Sequence, residues 1–354
     1  MARSIIVIHP GALGDVLLAV PSLRWLKKNF PDHHILLISN EAAGRLLLEC
    51  RQIDAWMSVQ GAFCADLCSG SVPDSIEINR WLDECDLAVV WMKQEHRGLA
   101  TALEHCGVRE VRMQSPFSPQ LKSRHHSERF LETLGATMVG LSAGEPLQLS
   151  PSLLEKGRAL LMNMGFARDR PLVLLHPGSG SRHKCTSVEL LAGVIMALNQ
   201  EGLCPLVLEG PADEARTAQL LHLLPMMPTV VRGQDLSIVA GMMVQVQVYI
   251  GHDSGTTHLA ALLGVPTIAL FGPTDPEQWA PRGAHVVVLR GTPCVCPSWE
   301  AVRHCEDKPC LAISVGDIFA SIRRIIGHGL KNTTPRNPSQ YSLFQKTPCA
   351  KVPS

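Results

Sequence analysis

Net charge is missing from this chain, which sets 32 basic against 32 acidic side chains in 354 residues. Proteins that coat nucleic acid neutralise phosphates with a basic surface, so this balance speaks against a nucleic-acid partner. Long apolar runs are missing as well. The stretch Ile5–Ile8 is cut off by His9 and Pro10, too short for a signal peptide, and no later stretch reaches the ~20 residues that span a bilayer. A cytoplasmic protein is expected, with at most peripheral contact with the inner face of the cytoplasmic membrane. Acidic residues are missing beyond Asp317, where Arg323, Arg324, Lys331, Arg336, Lys346 and Lys351 are all basic. From residue 330 to 354 the composition turns to Asn, Thr, Pro, Ser and Gln, too polar to bury a core, and a disordered tail is expected there.

Several familiar spacings are also lacking. Gly11-Ala-Leu-Gly14-Asp15 is not Gly-x-Gly-x-x-Gly, so no nicotinamide fingerprint is present. The loop His176–Lys184 is not a Walker A sequence. Gly251-His-Asp-Ser254-Gly255 is not the Gly-x-Ser-x-Gly of a hydrolase elbow. Twelve cysteines would suit disulfides, but a cytosolic chain of this size does not need them, and reduced thiols are expected. Four of these, Cys294, Cys296, Cys305 and Cys310, have the look of a zinc or cluster site, yet Cys-x-Cys is tighter than the usual gap between paired ligands. No metal and no cofactor is assigned.

What is present is an alternation of short apolar β-branched runs with helical periodicity. Ile5–Ile8, Ile35–Ile38 and Leu87–Trp91 read as buried strands. Val16, Val20, Leu23, Leu26 and Phe30 share one helical face, which Pro21 must interrupt, so a short turn around Asp15 followed by a new helix at Pro21 is predicted. After a weak pattern over 121–145, with a linker at 140–146, the alternation resumes. A helix over 151–164 leads to strands at Leu172–Leu175, Leu206–Leu208, Val246–Ile250 and Thr267–Phe271. The fold class is therefore α/β: two doubly wound parallel-sheet domains in series, 1–146 and 150–329.

Open α/β sheets bind ligands at the carboxyl ends of their strands. Three loops of the second domain lie at such ends. In the first, His176-Pro-Gly-Ser179-Gly-Ser181 with Lys184 either cradles oxygen atoms and sets a cation on a diphosphate, or is a plain turn with a surface lysine. In the second, Glu209 and Glu214 either accept ribose hydroxyls or are solvated acids at a helix start. The third, Gly251–His258, is strand, turn and helix start. There Asp253 orients sugar hydroxyls while Ser254, Gly255, Thr256 and Thr257 donate to phosphate, or else Asp253 or Ser254 simply caps the helix. His258 either donates to a phosphate or packs against the core. In the first domain Gly11 and Gly14 form the loop, and Asp15, facing the interdomain cleft, is either a general base or a helix-start acid.

Taken in order, Gly11–Asp15 with Pro21 and Phe30-Pro31, His176–Ser181 with Lys184, and Asp253–His258 through Phe271–Asp275 resemble glycosyltransferase family 9, the heptosyltransferases of lipopolysaccharide core assembly. The resemblance covers most of residues 3–325. It implies a GT-B architecture of two Rossmann-like domains with the active site between them. It also implies metal-independent, inverting transfer of a sugar from a nucleotide diphosphate donor, typically ADP-heptose, to a lipid-linked glycan acceptor. Asp15 matches the family's catalytic base, Lys184 its phosphate-binding lysine, and Asp253, Ser254, Gly255 and His258 its donor-binding turn. Glu214 resembles the glutamate that holds the donor ribose, in a looser match. Two departures stand out: Cys185 and Thr186 follow Lys184 where the family often has a tryptophan, and residues 40–145 show little that matches. The rival reading is a catalytically silent sugar-nucleotide-binding protein with a regulatory or scaffold role.

Overall fold

The computed structural model describes residues 3–92, 97–115, 124–138, 145–166 and 171–332. By its internal contacts the chain divides into two compact units, Met1–Ser150 and Pro151–Ser354. Each is built on one parallel sheet.

The first sheet contains β1 (Arg3–His9), β2 (His33–Ser39), β3 (Ala55–Ser58), β4 (Cys85–Val90) and β5 (Glu110–Met113), in the order β3-β2-β1-β4-β5. Ile5, Ile6, Val7 and Ile8 are buried on both faces of β1, which is why this strand reads as a continuous apolar run rather than an alternation. The chain reverses its direction of growth across the sheet between β1 and β4. That topological switch point is where the loop after β1 emerges.

Helix Leu13–Leu18 follows at once, and a second helix, Val20–Asn29, carries Pro21 in its first turn. Proline there loses no hydrogen bond, because the first helical amides have no partner within the helix. Val16, Val20, Leu23 and Leu26 are buried as their spacing predicts, whereas Phe30 lies past the helix end and is half-buried. One helix of this unit, His126–Thr133, lies where the periodicity looked weak. Its Arg129 side chain is buried, donating to the Arg124 carbonyl and contacting His126 Nε2.

The second sheet contains β6 (Leu172–His176), β7 (Cys204–Leu208), β8 (Thr229–Val231), β9 (Val248–His252), β10 (Thr267–Leu270) and β11 (Val286–Leu289), in the order β11-β10-β9-β6-β7-β8. Every neighbouring pair is parallel. The switch point falls between β6 and β9, whose register sets His176 opposite Gly251. Helix Val188–Gln200 and the C-terminal helix Val315–Asn332 pack on this sheet through Leu191, Val194, Ile195, Ile318 and Ile322. That last helix passes residue 330, the expected start of the tail; the remainder of the tail, 333–354, lies outside the described residues, as does most of the expected linker, 140–144. Among the described residues no helix is long and apolar enough to cross a membrane.

Candidate active site

Sequence spacing alone left the loops after β6 and β9 as separate candidates. The parallel pairing of β6 with β9 makes them neighbours. After β6 the chain passes His176-Pro-Gly-Ser and closes a short 3-10 turn, Arg182–Lys184, whose first amides are held by Ser181. This turn aims the Lys184 ammonium at Asp253, and Nζ donates to Oδ2 at 2.7 Å. Ser179 Oγ donates to the Asp253 carbonyl at 2.6 Å, so both ends of the first loop are clamped to the third.

Asp253 is only 6% exposed. Burial alone would raise the pKa of its carboxyl, but His258, with Nε2 3.8 Å from Oδ1, and the Lys184 ammonium hold it well below the usual carboxylate range. Thr274 Oγ1 also donates to Oδ2 at 2.8 Å. The result is an anion fixed in place in a largely dry setting.

Helix Gly255–Leu262 opens beside it with Ser254 at the cap position. The capping alternative for Asp253 and Ser254 does not hold, because no side chain caps this helix. The Asp253 carboxylate is turned toward Lys184, and Ser254 Oγ joins a hydroxyl cluster, 3.1 Å from both Thr256 and Thr257 Oγ1. His258 is buried, and its contact with Asp253 makes it a partner of the carboxylate rather than a purely apolar packing residue.

Three residues of this network were given no role of their own by the sequence. His176 donates from Nε2 to Asp213 Oδ2 at 2.8 Å, and its Nδ1 lies 3.2 Å from Thr256 Oγ1. Asp213 is buried and also accepts from the Gly210 amide. Burial works against its ionisation, but the His176 contact, the Gly210 amide and the nearby Arg216 together lower its pKa. His252, at the end of β9, accepts the Thr186 amide on Nε2 at 3.1 Å and faces the Gly178 carbonyl through Nδ1 at 3.3 Å. Burial drives its pKa down to about 3, so the ring is neutral and serves as a cross-link between the loops. Gly178 is needed here because a Cβ would fall 1.6 Å from Asp213 Oδ1. Glu214, by contrast, is exposed at the head of helix Glu214–His222, one residue beyond the buried Asp213.

In the first unit, Asp15 lies in the first turn of helix Leu13–Leu18, and Oδ2 accepts the Ala12 amide at 3.2 Å. The helix-start role weighed for it is thus present. Gly11 forms the turn as expected: its amide donates to His9 Nδ1, and a Cβ would meet the His9 ring at 2.7 Å. Gly14 does not form the loop, because the chain is already helical from Leu13. Beneath the turn His9 packs on Phe130 with ring centroids 5.1 Å apart, and Trp91 on Phe130 at 5.0 Å. Burial lowers the His9 pKa to about 4, leaving a neutral, rigid support at the end of β1.

The doubly wound parallel sheets of the two units are shared with known proteins. The profile of glycosyltransferase family 9 (heptosyltransferase) matches residues 100–305. Lipopolysaccharide heptosyltransferase 3 of Escherichia coli K12 is 23% identical over 307 residues, covering 77% of this chain and 84% of that protein. The family 9 glycosyl transferase of Veillonella parvula DSM 2008 superposes with a TM-score of 0.77 at 20% identity, over 92% of this chain and 98% of the other. ADP-heptose lps heptosyltransferase II of E. coli gives a TM-score of 0.72 at 16% identity, over 93% of this chain and all of the other. The fold is accordingly GT-B α/β, and the profile match, spanning more than half of the chain, shows that the protein belongs to glycosyltransferase family 9, the heptosyltransferases.

Proposed function

We propose that the protein transfers a heptose or related sugar from an ADP-sugar donor to a hydroxyl of a lipopolysaccharide-core or other lipid-linked glycan acceptor, with inversion and without a catalytic metal. The observation that carries this reading is the Lys184–Asp253 clamp at the switch point of the second sheet. Lys184 and the amides of the helix start at Gly255 and Thr256 face the donor diphosphate, with Ser179 and Ser254 as hydroxyl donors. Asp253, held as an anion, keeps the lysine in position, and His258 keeps Asp253 in position. Glu214, exposed at the head of its helix, accepts the ribose hydroxyls. The first unit binds the acceptor and supplies Asp15.

The chemistry is a single displacement. The acceptor oxygen bonds to the anomeric carbon as Asp15 takes its proton, and the bond from that carbon to the phosphate oxygen breaks with its electron pair leaving on ADP. Attack opposite the leaving group inverts the centre. The negative charge that develops on ADP is offset by Lys184 and by the helix dipole, which is electrostatic stabilisation without a metal requirement.

The test uses the full chain with ADP-heptose and a truncated lipopolysaccharide-core acceptor. Removing a general base costs about 10²–10⁴ in rate, so Asp15→Asn is expected to lose turnover on that scale while calorimetric ADP affinity stays unchanged. Normal turnover by this variant would remove Asp15 from the mechanism. ADP binding with slow donor hydrolysis but no product on any acceptor would favour the silent sugar-nucleotide binder.

A further inference from the structure

The donor turn belongs to a second network that the displacement itself does not use. His176 at the end of β6, Asp213 at the start of helix Glu214–His222, Tyr249 on β9 and the hydroxyls of Ser254, Thr256 and Thr257 form one connected cluster. His176, Asp213, Tyr249 and Thr257 are buried, whereas Ser254 and Thr256 keep part of their surface. The cluster therefore runs from the interior out to the place where a donor would sit.

Two groups that can only accept fix the direction of its hydrogen bonds. The Asp213 carboxylate takes the Nε2 proton of His176 at 2.8 Å, and the His252 carbonyl takes the hydroxyl proton of Thr257 at 2.5 Å. Thr257 Oγ1 is thereby left to accept, with Ser254 Oγ 3.1 Å away. The Tyr249 phenol, pushed up to about 12 by burial, stays protonated and reaches Thr256 Oγ1 at 2.8 Å. The remaining variable is His176 Nδ1, which faces Thr256 Oγ1 at 3.2 Å and Ser254 Oγ at 3.5 Å. In a neutral imidazole this nitrogen carries a lone pair, and Thr256 donates its hydroxyl proton inward to it. In an imidazolium Nδ1 donates to Thr256 Oγ1 instead, and the Thr256 hydroxyl proton is free to point outward. One proton on His176 thus turns Thr256 from an occupied donor into an available one and adds a positive charge one hydroxyl away from the turn.

We propose that His176 is a positioning residue for the donor: a diphosphate at the turn draws a proton onto His176, Asp213 holds the resulting imidazolium, and Thr256 directs its hydroxyl proton to the phosphate. This deepens the donor reading above and rests on it. An anion that prefers the protonated ring must strengthen proton binding by the same factor by which the proton strengthens its own. The other charged and titratable groups around the ring leave that role to His176. Tyr249 and His252 of β9 are neutral, Arg216 is tied to the Pro177 and Thr186 carbonyls, and Lys184 is paired with Asp253.

The experiment is calorimetry of ADP binding to the full-length chain in buffers of different ionisation enthalpy, which reads the protons taken up with the nucleotide. It is run at about pH 8, where the terminal phosphate of ADP has already lost its last proton. Uptake approaching about one proton per ADP is expected, and Kd should weaken with rising pH by up to about tenfold per pH unit. His176→Gln keeps a donor for Asp213 but has no proton to gain, so its uptake should vanish and its pH slope flatten. Asp213→Asn should reduce both, because the imidazolium loses its counter-charge. Should these variants fail to fold, the native chain isotope-labelled in its histidine ring nitrogens gives the second reading: one ring should pass from neutral to imidazolium shifts as ADP is added. ADP binding without proton uptake, uptake retained by His176→Gln, or a histidine spectrum with no new imidazolium would each overturn the proposal and leave the donor reading standing. Absence of ADP binding would remove the donor reading, and this inference with it.

Discussion

Lys184→Met is the perturbation that separates what the clamp does for the fold from what it does for a ligand. Removing one partner of a buried ion pair costs about 3–5 kcal/mol, because the other charge is left without compensation. The Lys184 side chain retains 24% of its surface, and Thr274 still donates to Asp253, so the expected loss here is about 2–3 kcal/mol. Lys184→Met/Asp253→Asn removes both charges and should recover most of that loss, giving a coupling of about 1.5–2 kcal/mol between the two positions. ADP affinity should behave differently. A lost charge-assisted contact to phosphate weakens binding about 10- to 100-fold, and the double variant should not recover it. Urea unfolding read by hydrogen exchange of the β6 and β9 amides reports on the second unit alone, and calorimetry with ADP gives the binding arm. The reasoning is refuted if Lys184→Met unfolds at the wild-type midpoint, or if the losses of the two single variants simply add.

Gly178→Ala would press a Cβ into Asp213 and break its bond to His176, costing about 2–4 kcal/mol in a thermal or urea melt. Gly180→Ala, whose Cβ meets nothing within 4 Å, is the control and should stay within about 0.5 kcal/mol of wild type. Acid should weaken both units. The pKa values of His9 and His252 are lowered by burial to about 4 and about 3, so below 6.5 the unfolded chain takes up protons that the folded chain refuses. Their stabilising effect is complete above pH 6.5 and is lost as pH falls toward those values, about 2 kcal/mol per histidine between pH 6.5 and 5. Asp253, with its depressed pKa, adds nothing to this window, since its contribution falls away only below the ordinary carboxylate range. Denaturant midpoints at pH 7.5 and 5.0 that coincide would contradict this.

The elements were legible wherever one local rule dominated. Continuous Ile/Val/Leu runs marked β1, β2, β4, β6 and β9, because a strand buried on both faces has no polar side to show. Pro21 marked the helix restart because its ring is tolerated only in a first turn. Helix His126–Thr133 escaped because, beside Phe130 and Leu131, it buries polar and charged side chains, His126, Ser127 and Arg129, which break up any apolar stripe. Asp213 escaped for a different reason. It stands beside Glu214, and two adjacent acids at a helix start look alike until packing turns one of them inward to His176.

Residue by residue, then, the sequence alone determined the alternation of strands and helices, the three loops and the family likeness, since these depend on neighbours within a turn or two. Pairing across the fold was decided only by the tertiary structure. Lys184 and Asp253 are 69 residues apart in the chain, and His176 and Asp213 are 37 apart. Strand order in a parallel sheet brings such residues within 3 Å, and that order is set by how the whole core packs rather than by any local pattern.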